Sequence, residues 1–357
     1  MTGFDYGNAR LRAMKSRFLS RKELELLVES GSMKGLIAAL TNTAYRRPVE
    51  VALTRTSGMA CVAEALRVDL MSTLGEIGNF YTDEARESVA VALRRYDLHN
   101  LKAILRGLSK SASPAEILGS LLPVGALKHS ILVELAQAPD ARAAIDSLVS
   151  MNSPFAWPLL KLRAEHPGAD IARLELVLEQ WHYLESQAFL EKSSLSGGVL
   201  STALKIEADL VNLLTVLRFY HRPDGRKSLK EWLGSDALDQ IVVGPGSLPI
   251  KLLVEAGQQE TLEAVVAKLE GTPFEAPLRS GLLNYASSGR LSDLEKQLRR
   301  FRLQWLAGQI VKDPLGIGVV LGYLALKENE VGNIRWIAQG ISLGLETRAI
   351  LAELELV

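Results

Sequence analysis

Two stretches of the chain match each other: residues 97–106 read DLHNLKAILR and residues 209–218 read DLVNLLTVLR. A shorter third copy, EVGNIRWI, occupies residues 330–337. The shared asparagine recurs in steps of 112 and 121 residues, at Asn100, Asn212 and Asn333. These steps have the length of a domain, whereas solenoid repeats are about 20 to 50 residues long.

Two further markers precede each copy in the same order. One has a hydroxyl residue, an aromatic residue, a proline and an aliphatic residue, and it occurs at 43–49, 153–159 and 272–278. The other is Leu-Val-Glu, at 27–29, 132–134 and 253–255. Their nearly constant spacing predicts internal triplication of one domain of about 119 residues. We place the three similar domains at 1–112, 113–227 and 228–357.

The local patterns are helical throughout. Apolar residues recur at spacings of three and four, while the two-residue alternation of a half-buried strand is missing. Four serines stand three residues before a glutamate, as in a capping box at the start of a helix: Ser20, Ser113, Ser228 and Ser292. The best strand candidate, residues 240–243, is too short to build a sheet. The chain is therefore predicted to be all-α.

Composition excludes several classes of protein. Lys plus Arg and Asp plus Glu both number 41, so the net charge is zero and the basic surplus of a nucleic-acid binder is missing. One cysteine, Cys61, offers neither an internal disulfide nor a metal cluster. The longest apolar run, 315–326, is shorter than the roughly 18 residues that span a bilayer. With no signal peptide at its start, the chain is expected to be soluble and cytosolic.

No motif for catalysis is present. The Gly-Lys-Ser/Thr of a phosphate-binding loop does not occur, so we expect no bound nucleotide and no cofactor. The five histidines, at 99, 129, 166, 182 and 221, lack the spacing of metal ligands. The glycine run at 316–322 has one residue too many for a dinucleotide fingerprint and is better explained by close helix packing. A site between domains remains possible for an enzyme, but no group of residues identifies one.

The chain resembles a known family over its whole length. The run at 313–340, DPLGIGVVLGYLALKENEVGNIRWIAQG, looks like the signature of the C subunit of the A/V-type rotary ATPases, whose eukaryotic counterpart is the d subunit of the V-type enzymes. The opening at 6–17, YGNARLRAMKSR, and the segment 97–107 also resemble that family. The C-terminal run is the most specific part of the resemblance.

The resemblance implies a non-catalytic subunit of the central stalk. Three helical domains would form a funnel around a pseudo-threefold axis. One face would accept the rotor shaft, made of the D and F subunits, and the other would sit on the cytoplasmic side of the membrane proteolipid ring. A single copy in a hetero-oligomeric complex would then couple ATP synthesis or hydrolysis to proton or sodium transport. One departure concerns the first copy, which has Arg95 where the others have Glu207 and Glu328.

The repeated helices supply candidate partner-binding residues. In the first copy, Leu98, Leu101, Ile104 and Leu105 share one apolar face, and Asn100 lies at its edge. A polar residue there is either hydrogen-bonded where helices cross or exposed to a partner. On the second interpretation, eight polar residues form the shaft-facing wall: Asn100, Arg106, Asn212, Arg218, Glu328, Glu330, Asn333 and Arg335. The alternative function is a free-standing helical enzyme with an interdomain active site.

Overall fold

The computed structural model describes residues 3–193, 198–221, 241–244 and 246–357. These residues contain α-helices and a short 3₁₀ helix (Gly78–Phe80), and they contain no strand. The α-helices are α1 (Asp5–Lys15), α2 (Arg21–Glu29), α3 (Met33–Leu40), α4 (Arg46–Leu53), α5 (Gly58–Ile77), α6 (Asp83–Ser109), α7 (Pro114–Gly119), α8 (His129–Ala136), α9 (Ala141–Ser150), α10 (Ala156–Glu165), α11 (Ile171–Lys192), α12 (Val199–His221), α13 (Ile250–Gly257), α14 (Leu262–Lys268), α15 (Glu275–Ser288), α16 (Ser292–Lys312), α17 (Gly318–Ser342) and α18 (Thr347–Glu353). The all-α prediction is confirmed.

Two of the predicted capping boxes start helices. Ser20 accepts a hydrogen bond from the backbone N–H of Glu23, whose side chain accepts from the Ser20 N–H, and Ser113 and Glu116 do the same before α7. The prediction at Ser292 is wrong, because α16 begins at this serine rather than after it. Ser228, the breaker at 222–225 and Gln240 of the strand candidate lie outside the described residues, while 241–243 are not a strand.

The helices recur in a regular order of lengths. Three helices of 7 to 14 residues precede two of 20 to 27 residues in α2–α6, in α8–α12 and in α13–α17. In the marker that contains an aromatic residue and a proline, the proline is the third residue of its helix in all three places. The aromatic residue immediately before that helix is buried each time: Tyr45, Phe155 and Phe274. Internal triplication and the three domain bounds, 1–112, 113–227 and 228–357, stay predictions.

Contacts divide the chain into two compact units. The first unit joins the two ends of the chain, Met1–Ala92 and Leu303–Val357. Its central element is α17, which packs against α1, α2, α3 and α5. Small residues let α16 approach α17 closely, since a Cβ on Gly322 would lie 2.8 Å from the Leu306 carbonyl oxygen. The fifth helix, α5, contributes Cys61, which is fully buried and whose thiol pKa is raised by that burial.

The second unit comprises Leu93–Arg302. The apolar face predicted for residues 98–105 is buried in its core, together with Leu132, Leu148 and Leu178. Phe155 packs against Trp181 with ring centroids 4.9 Å apart. In neither unit does a described helix have the length and apolar character needed to cross a membrane.

Candidate partner-binding site

The three repeated asparagines bind the backbone of their own chain. Asn100 is fully buried, and its side-chain amide donates to the carbonyl oxygen of Leu122 and accepts from the N–H of the same residue, both at 2.8 Å. Asn333 holds Glu355 in the same way, with both distances 3.0 Å. These contacts agree with the structural interpretation of the asparagine, in which its hydrogen bonds are made within the chain.

Asn212 makes nearly the same contact with two adjacent residues. It accepts from the N–H of Val243 at 2.9 Å and donates to the carbonyl oxygen of Gly244 at 3.0 Å, and it is 1% exposed. We call each such contact an asparagine clamp. Because the amide of asparagine both donates and accepts, one side chain satisfies an N–H and a C=O of a buried linker.

An acidic residue three positions earlier holds the end of the same linker. Asp97 accepts from the N–H groups of Ala126 at 2.8 Å and Leu127 at 2.9 Å. Asp209 accepts from Ser247 at 2.7 Å and Leu248 at 3.1 Å. We call these contacts acid clamps. Burial raises the pKa of both carboxyl groups, and the backbone hydrogen bonds offset part of that effect.

In the third copy the acid clamp is made by Glu330, on α17. Its Oε2 accepts from the N–H of Leu19 at 2.5 Å. Leu19 stands two residues before α2, as Leu127 stands two residues before α8 and Leu248 two before α13. Those three helices carry the Leu-Val-Glu marker. The acid of the third copy therefore holds the start of the first, at a position that corresponds to the other two clamps.

Glu330 also belongs to a buried polar cluster of the first unit. The Lys327 ammonium lies 2.7 Å from Asp69, 3.0 Å from Glu330 and 3.0 Å from the hydroxyl of Tyr45. Tyr45 donates to Glu330 at 2.7 Å. Burial and the charge of Glu330 raise the pKa of Tyr45, which keeps its proton, and burial raises the pKa of Asp69 despite Lys327. Buried charges are tolerated when they are paired in this way.

The arginines of the first two copies are exposed on one side and paired on the other. Arg106 makes a two-point ion pair with Glu175 of α11, and Arg218 pairs with Glu295 of α16 at 2.7 Å. More than half of each arginine side chain remains exposed. The hydrogen bond from Arg218 holds the pKa of Glu295 below its ordinary value.

The first copy has Arg95 where the other two have a glutamate, and this arginine makes an ion pair inside the second unit. Arg95 lies 3.6 Å from Glu207, which also pairs with Arg302. Burial alone would raise the pKa of Glu207, but Arg302 and Arg95 hold it below its ordinary value. Arg95, which differs from the glutamate found at this position in the other copies, therefore balances the negative charge of Glu207.

The eight candidate residues thus fall into three groups. The asparagines are buried, Glu330 is buried, and Glu328 is partly buried on α17. Arg335 is exposed on the same helix, and Arg106 and Arg218 are exposed beside their partners. Whether the exposed members contact a partner stays a prediction. Sequence reasoning missed the roles of Asp97 and Asp209, although both belong to the repeated motif, and of Lys327, whose position is taken by Arg94 in the first copy and by Ile206 in the second.

The titratable side chains of the described residues can be compared with the requirements of a metal site. Among them, no three histidine, cysteine or carboxylate side chains come together in a way that could hold a metal ion. His182 is buried on α11, and that burial lowers its pKa to about 4. These contacts define the class of protein: it is all-helical, and its buried polar side chains hydrogen-bond to the backbone of its own linkers.

Comparison with known proteins identifies the family within that class. A sequence model of the family described as ATP synthase (C/AC39) subunit matches residues 7–353, and the chain belongs to this family. The C subunit of the V-type ATP synthase of Thermus thermophilus is 29% identical, over 96% of this chain and 95% of the relative. The C subunit of the A-type ATP synthase of Methanocaldococcus jannaschii is 26% identical, over 94% and 82%. The resemblance found in the sequence is confirmed.

Proposed function

We propose that the chain is a non-catalytic central-stalk subunit of an A/V-type rotary ATPase. It seats the rotor shaft, made of the D and F subunits, on the cytoplasmic face of the membrane proteolipid ring and transmits torque between ion transport and ATP chemistry. The match of residues 7–353 to the family carries this proposal. One copy would serve within the hetero-oligomeric complex, and no cofactor or nucleotide would be needed.

The clamps favour a torque-bearing role. Torque is lost when a linker between rigid parts bends, and Asn100 and Asp97 each fix a linker to a long helix by two hydrogen bonds. Closely packed helical interiors also have low compressibility. A chain built in this way would rotate as one body with its neighbours.

The clamp made by Glu330 bears on the arrangement of the three predicted domains. It joins the third domain to Leu19 of the first, and α17 packs against α1, α2 and α3. All of these contacts lie within the first compact unit. The funnel around a pseudo-threefold axis is proposed from the family match.

Only three of the eight candidate residues are exposed, so the proposed shaft-facing wall is reduced to these three. Arg335 is exposed, and Arg106 and Arg218 keep more than half of their side chains exposed beside their glutamate partners. Arginine makes bidentate hydrogen bonds to carboxylates, so the corresponding surface of the shaft would be acidic there. The asparagines and Glu330 would support this wall from within, and Glu328 would lie at its edge. No specific observation favours the alternative of an interdomain enzyme.

Affinity purification from detergent-solubilised membranes tests the proposal. A tagged chain should recover the shaft and proteolipid subunits, and Arg335→Glu should reduce recovery of the shaft because it reverses an exposed charge. Lys34→Glu, an equal reversal on α3 of the same unit, should leave recovery unchanged. Recovery of the chain alone, or turnover of a small substrate by the purified chain, would contradict the proposal.

A further inference from the structure

Three large apolar side chains are exposed where α1 meets the turn between α16 and α17. Leu315, in that turn, is 63% exposed, and Val311, one helical turn earlier at the end of α16, is 80% exposed. Tyr6 on α1 is 64% exposed. Single exposed apolar residues are common on proteins, so the surroundings of these three decide whether they have a role.

Hydrogen bonds hold the turn against α1. The side-chain amide of Asn8 donates to the carbonyl oxygen of Gly316 at 2.9 Å. The guanidinium group of Arg12 donates to the carbonyl oxygen of Pro314 at 2.6 Å. The backbone is therefore held on both sides of Leu315. A partner that covers this side chain would not have to order a mobile loop, which lowers the entropic cost of binding.

The same part of the molecule is basic, although the chain as a whole has no net charge. Residues 5–17 and 304–315 contain five basic and two acidic residues. All five basic residues are exposed: Arg10, Arg12, Lys15, Arg17 and Lys312. Of the two acids, Asp5 is the first residue of α1, and Asp313 accepts a hydrogen bond from the N–H of Gly318 at 2.8 Å. We call the exposed side chains of these two segments the basic face.

One of the cations is fixed beside an exposed aromatic ring. A guanidinium nitrogen of Arg10 donates to the hydroxyl of Tyr6 at 3.0 Å. The same guanidinium group lies 4.2 Å from the centroid of the Phe80 ring. The basic face thus presents fixed positive charge next to apolar surface, a combination that is typical of proteins that lie at the interface of a membrane.

We propose that the basic face binds an anionic lipid surface. The cations would contact the headgroups, and Tyr6, Val311 and Leu315 would enter the boundary between headgroups and acyl chains. These apolar side chains are separated by cations along the chain. A lipid layer adapts to such an arrangement, whereas an acidic protein would need a matching pocket for each one. That a membrane lies beside the chain rests on the proposed function; the charge and exposure of the face do not.

Co-sedimentation of the isolated full-length chain with lipid vesicles tests this proposal. Vesicles of equal parts phosphatidylcholine and phosphatidylserine should bind the chain saturably, and added salt should weaken the binding because it screens the charges. Vesicles of phosphatidylcholine alone should bind at least about tenfold more weakly, since they lack the anionic headgroups. Absence of binding to the anionic vesicles, or equal binding to both kinds, would overturn the proposal.

A charge-reversed variant tests the cations. Lys15→Glu combined with Lys312→Glu should weaken binding to the anionic vesicles at least about tenfold. Lys34→Glu combined with Arg348→Glu gives the same net charge at two exposed positions of the first unit outside the basic face. That control should bind within about threefold of the parent chain. Equal loss in the two variants would show that only net charge matters and would contradict the site.

A second pair of variants tests the apolar side chains. Val311→Ser combined with Leu315→Ser should weaken binding at least about tenfold, because less apolar area is buried in the lipid. Val149→Ser combined with Leu283→Ser removes the same two exposed residue types from the second unit and should bind as the parent chain does. Circular dichroism would confirm that each variant is folded. Unchanged binding after the substitutions at 311 and 315 would overturn the insertion of these side chains.

Purification from solubilised membranes separates the two other outcomes. If the chain ignores vesicles but Lys15→Glu with Lys312→Glu loses the proteolipid subunits, the basic face binds an acidic protein and the lipid proposal is wrong. Recovery of the parent chain without any other ATP synthase component would contradict the proposed function instead. The vesicle measurements use the chain alone, so they decide the lipid site in either case.

Discussion

The clamp asparagines show how a single side chain can fix a linker. An amide carries its donor and its acceptor on two separate atoms, so it can donate to a backbone carbonyl and accept from the N–H of the same or the next residue at the same time. Asn100 does so while fully buried, where water cannot replace either bond. The asparagine is therefore explained by its two hydrogen bonds to the backbone, which its polarity alone did not predict.

Substitution of Asn100 measures the strength of this contact. Asn100→Ala leaves the N–H and C=O of Leu122 without their partner, and we expect the free energy of unfolding to fall by about 2–4 kcal/mol. Urea unfolding followed by circular dichroism would measure the change. Asn42→Ala, at an exposed asparagine after α3, should change it by less than about 0.5 kcal/mol. Equal effects of the two substitutions would contradict the clamp.

At the level of helices and linkers, the sequence predicted the helices but not the contacts that hold the linkers between them. The apolar spacing of three and four residues predicted the helices. The structure places the proline of each marker in the first turn of α4, α10 or α15. The partners of the polar residues were beyond its reach, because Asp97 and Leu127 are 30 residues apart and no local pattern joins them. Ser292 misled the prediction because a serine and glutamate at the right spacing also occur inside a first helical turn.

The linker glycine provides a test at this level. Gly125→Ala forces a Cβ against the Asp97 carboxylate, which cannot move without losing its two backbone hydrogen bonds. We expect the free energy of unfolding to fall by about 1–3 kcal/mol. Gly332→Ala makes the same change at an exposed site on α17 with open space around it, and should raise that free energy by up to about 1 kcal/mol. Thermal unfolding in which both variants shift in the same direction would contradict this explanation.

The chain as a whole is electrically neutral, so its response to pH depends on a few buried groups rather than on overall repulsion. His182 is the clearest of them. Burial lowers its pKa from an ordinary value of 6.5 to about 4 in the folded chain. Between these values the unfolded chain binds a proton that the folded chain does not bind. The stability that neutral His182 permits is therefore complete above pH 6.5 and is lost as the pH falls towards 4.

Replacement of His182 should flatten this response. In His182→Phe, which keeps a planar ring but cannot titrate, the free energy of unfolding should lose about 2 kcal/mol less than in the parent chain between pH 7 and pH 5. Urea unfolding at pH 7, 6 and 5 measures the difference, from which the other titrating groups cancel. Parallel pH profiles for the two chains would show that His182 is protonated in the folded chain at pH 5.

Cys61 gives the molecule a practical property. It is the chain's sole thiol, it has no exposed surface, and its raised pKa keeps it in the unreactive protonated form. Maleimide dyes and gold particles attach to accessible thiolates, so the natural chain should remain unlabelled. A cysteine introduced on an exposed helix would then be the single attachment point for a dye or a gold particle, with no need to remove the native residue first.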